Sequence, residues 1–406
     1  MEKRFMEEAK KLSSKIIKIR RQIHMYPELG YQEKRTSELV AKTLRELNIE
    51  VKTGVAKTGV VGLLKGAKRG RTVGVRADMD ALPITEQTQV PHRSRVEGLM
   101  HACGHDGNTA TVLGMAMILA DYREHFAGNV KFIFQPSEEA PPGGAKPMIE
   151  EGVLERPKVD AMLGFHVDPS IQVGKFGVRY GPMTAASDDF QVTVIGEASH
   201  GAKPHMGVDA ITLAAQVILA IQTIPSRRID PLQPVVITLG TVAGGYRQNV
   251  IADRVKLEGT ARTLNERVRR RVVKLLRETI AGVTKSGGGS FEFEYEDGYP
   301  VFVAHDGMSD ILSASIRRHA GKRGLVEIPE ASMGGDDFAY FGSAVPGTML
   351  HGGTGNKGKG IVYPWHHPKF DVDEDGLWMS SAILADAAVL CLSDEGQEML
   401  RHPKRR

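Results

Sequence analysis

Residues 72–139 hold the pattern that most constrains this chain. Two short apolar, β-branched runs, TVGVRADMD (72–80) and NVKFIFQPSEE (129–139), flank the stretch NTATVLGMAMILADYREHF (108–126). That stretch is apolar around most of its circumference, which predicts a buried helix. The flanking runs lack polar alternation, as strands covered on both faces do. Strand–helix–strand in this form argues for a parallel sheet. DAMLGFHV (160–167) adds a third buried strand. After Pro300 the pattern resumes with the helix DGMSDILSASIRRHAG, the strand VPGTMLHGG and the helix DGLWMSSAILADAAVLCLS. The expected class is α/β, a mostly parallel sheet with helices on both faces.

The middle of the chain reads differently. DDFQVTVIGE (188–197) alternates as a half-exposed strand, and VDAITLAAQVILAIQTI (208–224) is a helix expected to stop at Pro225. PVVITLGTVAGG (234–245) and DRVKLEGTART (253–263) are strands, NERVRRRVVKLLRETIAGVTK (265–285) is an amphipathic helix, and SFEFEYEDG (290–298) is a strand. The order β-α-β-β-α-β is the ferredoxin-like arrangement. The expected division is therefore a larger domain from 1–185 and 300–406, with a smaller α+β domain, 186–299, inserted in it.

Length alone favours two domains over one core for 406 residues. With only two cysteines, a disulfide framework is excluded, which fits a reducing compartment. No apolar run reads as a membrane span, and the N-terminus lacks a signal-peptide core, so a cytoplasmic location without membrane contact is expected. That N-terminus reads as an amphipathic helix with Phe5, Leu12, Ile16 and Ile19 on one stripe. The net charge is +4 with both signs mixed. The basic runs RVRRRVVK (267–274) and HPKRR (402–406) read as a solvated helix face and a frayed tail. No aromatic residues interleave with them, which argues against nucleic-acid binding.

Chemistry gathers at the strand ends, where parallel sheets place their ligands. The first strand delivers Asp78 and Asp80, the second Glu138 and Glu139, and the third His166. HACGHDGN (101–108) lies just before the buried helix and holds Cys103 and His105. Carboxylates, imidazoles and a thiol cannot crowd together without a cation to offset their desolvation and repulsion. They are also the ligands of divalent metals. A helix N-terminus and neighbouring histidines would lower the Cys103 thiol pKa. Cys391, in AAVLCLS, reads as a core cysteine. Adjacent extended residues point in opposite directions, so one of Glu138 and Glu139 can bind metal while the other faces substrate. WHHPKF (365–370) offers two more histidines. Three readings of Cys103 stay open: metal ligand, nucleophile with His105 as base, or structure. GTGNKGKG (353–360) lacks the Ser/Thr and the helix of a phosphate-binding loop, and neither HExxH nor GxSxG occurs.

The stretches RQIHMYPELGYQE (21–33), RADMDALPITE (76–86), HACGHDGNTA, FQPSEEAPPGGAKPMI (134–149), GFHV, SHGAKPHMGVDA (199–210), QNVIAD (248–253), MGGDDFAYF (333–341) and HHPKFDVDE (366–374) resemble, in order, the motifs of the M20 metallopeptidases. The resemblance is to their amidohydrolase branch, with hippurate hydrolases, N-acyl-amino-acid amidohydrolases, auxin-conjugate hydrolases and some carboxypeptidases. It implies a hydrolase of N-acyl amino acids, or alternatively of short peptides as a carboxypeptidase or dipeptidase. It also implies two divalent ions (Zn, Mn, Co or Ni) held by Cys103, His105, Glu139, His166 and His366. Glu138 matches the general base and Asp80 the carboxylate that orients a ligand histidine. Asp78 stands where wider members carry a histidine ligand, and the Cys-x-His pair compensates. The smaller domain matches the family's lid and dimerisation domain, with His200 on the oxyanion and Asn249, Arg262 and Gly335 on the substrate side. A homodimer or homotetramer follows from the same resemblance. The rival classes are a metal-independent cysteine hydrolase using Cys103 and a non-catalytic binding protein on the same fold.

Overall fold

The computed structural model describes residues 2–403. Its chain groups into two compact units: 1–181 with 303–329 and 340–406, and 182–302 with 330–339. The segment 330–339, assigned from sequence to the larger domain, groups with the smaller unit instead. Short backbone bonds explain it: Ser332 N donates to Met183 O at 2.8 Å, and Ala185 N donates to Gly334 O at 2.9 Å.

In the larger unit, four parallel strands, Ala127–Gln135, Lys68–Asp78, Ala161–Gln172 and Gly347–Gly355, form the middle of an eight-stranded sheet in that spatial order. The antiparallel hairpin Glu50–Val55/Gly59–Lys65 extends one side. The middle strands are buried along most of their length, as their unbroken apolar runs require. The helix His105–Tyr122 is buried on nearly every side, because the helices Glu2–His24 and Asp375–Leu392 pack against it as well as the sheet. The three approach closely at Gly114, where a Cβ would stand 2.5 Å from Ser381 Oγ and 2.6 Å from Ile16 Cδ1. Phe5, Ile16 and Ile19 of the N-terminal helix are buried and Leu12 is partly buried.

The smaller unit has a four-stranded antiparallel sheet in the order Val235–Gly244, Arg254–Thr263, Ala186–Ile195, Ser290–Tyr299. Two helices, Ala210–Arg227 and Glu266–Ser286, pack against it through alternating strand residues such as Phe190, Val192 and Val194. Two sequence expectations fail here. The first helix runs through Pro225 to Arg227. Pro225 lies in the last turn, so only one helical bond is lost. The basic run of the second helix is not wholly solvated, because Arg269 is buried against Asp188. Residues 404–406 of the basic tail lie outside the described residues.

The expectation that no segment suffices for a membrane span also needs correction. Ala210–Arg227 and Asp375–Leu392 each reach 18 residues, with mean hydropathy 1.2 and 1.4. Each packs on its own unit, the second with 72% of its residues buried.

Candidate metal centre

The sheet opens where the centre forms. The Lys68–Asp78 strand pairs with Ala161–Gln172 only as far as Arg76↔Gly164. Beyond that point Asn108 spans the gap: its Oδ1 accepts from Val167 N at 2.9 Å and its Nδ2 donates to Asp78 Oδ1 at 2.7 Å. Asn108 was not singled out from sequence; its position in the first turn of the helix that begins at His105 was the available signal.

His105 is the first residue of the buried helix, and Gly104 before it has φ 89°. A side chain there would be strained, and its Cβ would stand 2.3 Å from Val167 Cγ2. The helix start is anchored by Asp106, which accepts from Arg20 Nε and His24 Nδ1 at 2.7 Å each. Burial would raise the Asp106 carboxyl, but Arg20 and His24 hold it well below the usual carboxylate range. Asp80 orients His105: the ring Nδ1 lies 2.9 Å from Asp80 O and 3.2 Å from Asp80 Oδ1. The other oxygen of Asp80 accepts from Glu139 N at 3.0 Å. A ligating histidine held through its far nitrogen by a carboxylate is a common arrangement in metal sites.

Six residues then converge. Cys103 Sγ lies 3.6 Å from His166 Nε2. His105 Nε2 lies 3.8 Å from Glu139 Oε1 and 3.9 Å from Glu138 Oε2. His366 Nε2 lies 3.4 Å from Glu139 Oε1. Within the larger unit three overlapping sets arise whose donor atoms lie within 4.8 Å of one another: Cys103/His105/His166, Cys103/Glu139/His366 and His105/Glu138/Glu139. Overlapping sets sharing Cys103, His105 and Glu139 suit two neighbouring ions. His366 has φ 64° and donates its N–H to Ala102 O at 2.8 Å, which ties the two histidine loops together. His367 instead stacks on Tyr363 at 4.4 Å. His166 lies inside its strand rather than at its end, since the strand continues to Gln172.

The cluster fits a cation. His105 Nε2 and Glu139 Oε1 are buried with no hydrogen-bond partner among the described residues. Such orphans are costly in a folded core, and here they face one another. The ionisation of the protein groups points the same way. Desolvation, then the charge of Glu139, pushes the Cys103 thiol well above its ordinary value. This overturns the expectation that its helix terminus and histidines would lower it: burial, with the carboxylates beside it, outweighs them. His105 is pushed well up; burial opposes this, and Asp78 and Cys103 outweigh it. Asp78 is pulled down to about 2; burial opposes this, and His105 and Arg76 outweigh it. Its Oδ2 takes Arg76 Nη1 at 2.6 Å, so its charge is already matched by an arginine.

The remaining site residues named from sequence lie in the smaller unit. His200 is exposed, pairs with Val250, and sits beside Asn249, whose carbonyl accepts from Gly201 N at 2.8 Å. Arg262 is half-buried opposite Ser187, and a Cβ on Gly335 would stand 3.0 Å from Ser187 Oγ. The structure thus gathers these four as two pairs of neighbours within their own unit.

Residues 74–389 match the model of peptidase family M20/M25/M40. A thermostable carboxypeptidase of Saccharolobus solfataricus is 42% identical over 92% of this chain and 94% of its own length. An N-acyl-L-amino acid amidohydrolase of Geobacillus stearothermophilus is 40% identical over 75% of this chain and 81% of its own. The crystal structure of a Bacillus subtilis dinuclear metal-binding peptidase of the M20 family superimposes with TM-score 0.83 at 35% identity, covering 94% of this chain and 99% of that one. With its ligand-rich strand ends and a match along most of its length, the chain belongs to the M20 family of metallopeptidases and amidohydrolases.

Proposed function

We propose that this M20 hydrolase cleaves the amide bond of N-acyl amino acids, with two divalent ions held by Cys103, His105, Glu139, His166 and His366. The observation that carries the reading is the facing pair of orphaned atoms, His105 Nε2 and Glu139 Oε1, with Glu138 beside them. Divalent ions bound there supply Lewis acidity toward a water and the substrate carbonyl. Glu138 takes one proton from the attacking water as its oxygen bonds to the carbonyl carbon. It gives that proton to the nitrogen as the C–N bond breaks, leaving a carboxylic acid, which then ionises in water, and an amine. Asp80 holds His105 in one orientation throughout. His200, Asn249, Arg262 and Gly335 complete the reading as its oxyanion and substrate-side groups. Zinc, manganese, cobalt and nickel all suit a mixed N/O/S donor set. A cytoplasmic homodimer or homotetramer belongs to the same proposal.

Relatives named for carboxypeptidase and for acyl-amino-acid activity support amides of amino acids as the substrate class. A metal-free cysteine hydrolase needs a thiolate, and the raised Cys103 thiol weighs against it. The test is amine release from N-acetyl and N-benzoyl amino acids and dipeptides by chelator-stripped protein, before and after each divalent ion is restored. Loss and recovery of activity, greatest on N-acyl amino acids, is expected. Turnover untouched by complete stripping would sink the reading.

A further inference from the structure

The proposed ligands are not held alike. The side chains of His105 and Glu139 are 0% and 12% exposed, that of His366 55%. With more than half of its side chain open, His366 is placed by its backbone rather than by packing around the ring. What holds that backbone therefore matters to any ion His366 shares. Two neutral bonds tie the segment near its start: His366 N donates to Ala102 O and Gln87 N to Pro368 O, both at 2.8 Å. Phe370 follows, fully buried, and a Cβ on Gly104 would stand 3.2 Å from its Cζ.

The next residue, Asp371, meets a charge. Arg20, in the last turns of the helix Glu2–His24, is fully buried. Its Nη2 donates to Asp371 Oδ1 at 3.0 Å and its Nε to Asp106 Oδ2 at 2.7 Å. Its Nη1 donates to Glu374 Oε1 at 3.3 Å, just before the helix Asp375–Leu392. His92 Nε2 lies 2.7 Å from Nη1, and His24 Nδ1 lies 3.3 Å from Nη2. Asp106 directly follows His105, and Asp371 comes one turn of chain after the His366–Pro368 pair of ties. One guanidinium thus bridges the two segments that carry Cys103, His105 and His366.

An arginine suits this bridge. Its N–H groups lie in a fixed planar fork, so it sets the angle between two carboxylates as well as their distance, where a lysine is a point charge on a flexible stem. Carboxylates gathered around one buried cation repel when it is removed. Asp106 is fully enclosed and Asp371 is 18% exposed, so the His366 segment is the one free to yield. We infer that Arg20 is a positioning residue of the metal centre: by holding Asp371 beside Asp106 it keeps His366 against Cys103 and Glu139, and so sets the affinity for the ion those three would share. The inference rests on the ligand set of the proposed function. An ion held through Cys103, His105 and His166 takes no ligand from the His366 segment and is spared.

The test titrates chelator-stripped protein with zinc against a chromophoric chelator, which reads both affinities without turnover. Wild type is expected to take two ions. Arg20→Met weakens one of them by about 10- to 100-fold, the usual cost of losing a group that orients a ligand, and leaves the other unchanged. Asp371→Ala cuts the same tie from the other end, leaves Arg20 on Asp106, and has the same effect; it decides the point if Arg20→Met does not fold. Arg20→Lys recovers part of the loss. In a His366→Ala background neither substitution costs further affinity, because both act through His366. Asp188→Ala, destabilised in the other unit, keeps both ions, which separates positioning from stability. Wild-type affinity for both ions in Asp371→Ala, equal weakening of both, or a further loss on top of His366→Ala would overturn the assignment while leaving the ligand set standing. Wild type that takes fewer than two ions would break the ligand set, and with it the functional reading.

Discussion

Two buried polar clusters, one in each unit, teach opposite things. In the smaller unit Asp188 is 1% exposed. Its Oδ1 accepts from Arg269 Nη2 at 2.6 Å and Gly298 N at 3.0 Å; its Oδ2 accepts from Arg269 Nε at 2.9 Å and Tyr295 OH at 2.6 Å. The cluster closes on itself. In the larger unit the atoms His105 Nε2 and Glu139 Oε1 are also enclosed but have no hydrogen-bond partner among the described residues. A closed knot spends its polarity on holding strands and helix together; an open one keeps its polarity for an ion. Burial of charge is common to both, so partner satisfaction separates structure from chemistry.

The comparison breaks first at Glu138. Glu138→Ala is expected to lower turnover by roughly 10²–10⁴-fold, the usual worth of a positioned general base. Bound metal and melting temperature should stay near wild type, because the ligand set is intact. Wild-type-like turnover in a metal-loaded variant would remove Glu138 from the mechanism. Asp188→Ala should do the reverse. Arg269 then keeps only the more exposed Glu266 and Asp297, and losing its one buried carboxylate costs up to about 3–5 kcal/mol of stability, read by urea unfolding, while metal content holds. A stability change below about 1 kcal/mol would mean the knot is not the closed structural element its geometry describes.

Metal addition sharpens the contrast. An ion that binds only the folded chain at a hundred times its Kd stabilises it by about 2.7 kcal/mol. Glu139→Gln should lose much of that increment, and Asp188→Ala should keep it. The sign with pH follows from Cys103. Its thiol is pushed up, so between pH 6 and 8 the metal-free protein holds a proton that binding must expel. The metal-induced rise in melting temperature therefore grows as pH increases. A rise that is flat or falls with pH would take Cys103 out of the ligand set.

The two clusters were unequally legible in the sequence. Strand–helix–strand periodicity predicted the layers, and residue types at strand ends pointed to a cation, because ligand chemistry is local. Partnership across the sheet is not local. Arg269 sits in a run of arginines that looks solvated, and only the fold brings it to Asp188, 81 positions away. Asn108 fills a gap between strands that diverge only in three dimensions. Segment 330–339 could not be placed from its own pattern, because its bonds are to 183–185.

The smallest expected effect uses the same residue type at the surface. Asp209 caps the helix Ala210–Arg227: Oδ1 accepts from Ile211 N at 2.9 Å and Thr212 N at 3.2 Å, and Oδ2 from Thr212 Oγ1 at 2.7 Å. It makes nearly as many hydrogen bonds as Asp188. The difference lies in what replaces them. When Asp209 becomes alanine, water reaches the freed N–H groups, and the cost is about 1 kcal/mol. When Asp188 becomes alanine, no water replaces the carboxylate beside Arg269. The ratio of the two urea-unfolding changes, near three or more, therefore measures burial with chemistry held constant. Equal changes would mean that the number of hydrogen bonds, rather than access to water, sets the worth of a carboxylate in this fold.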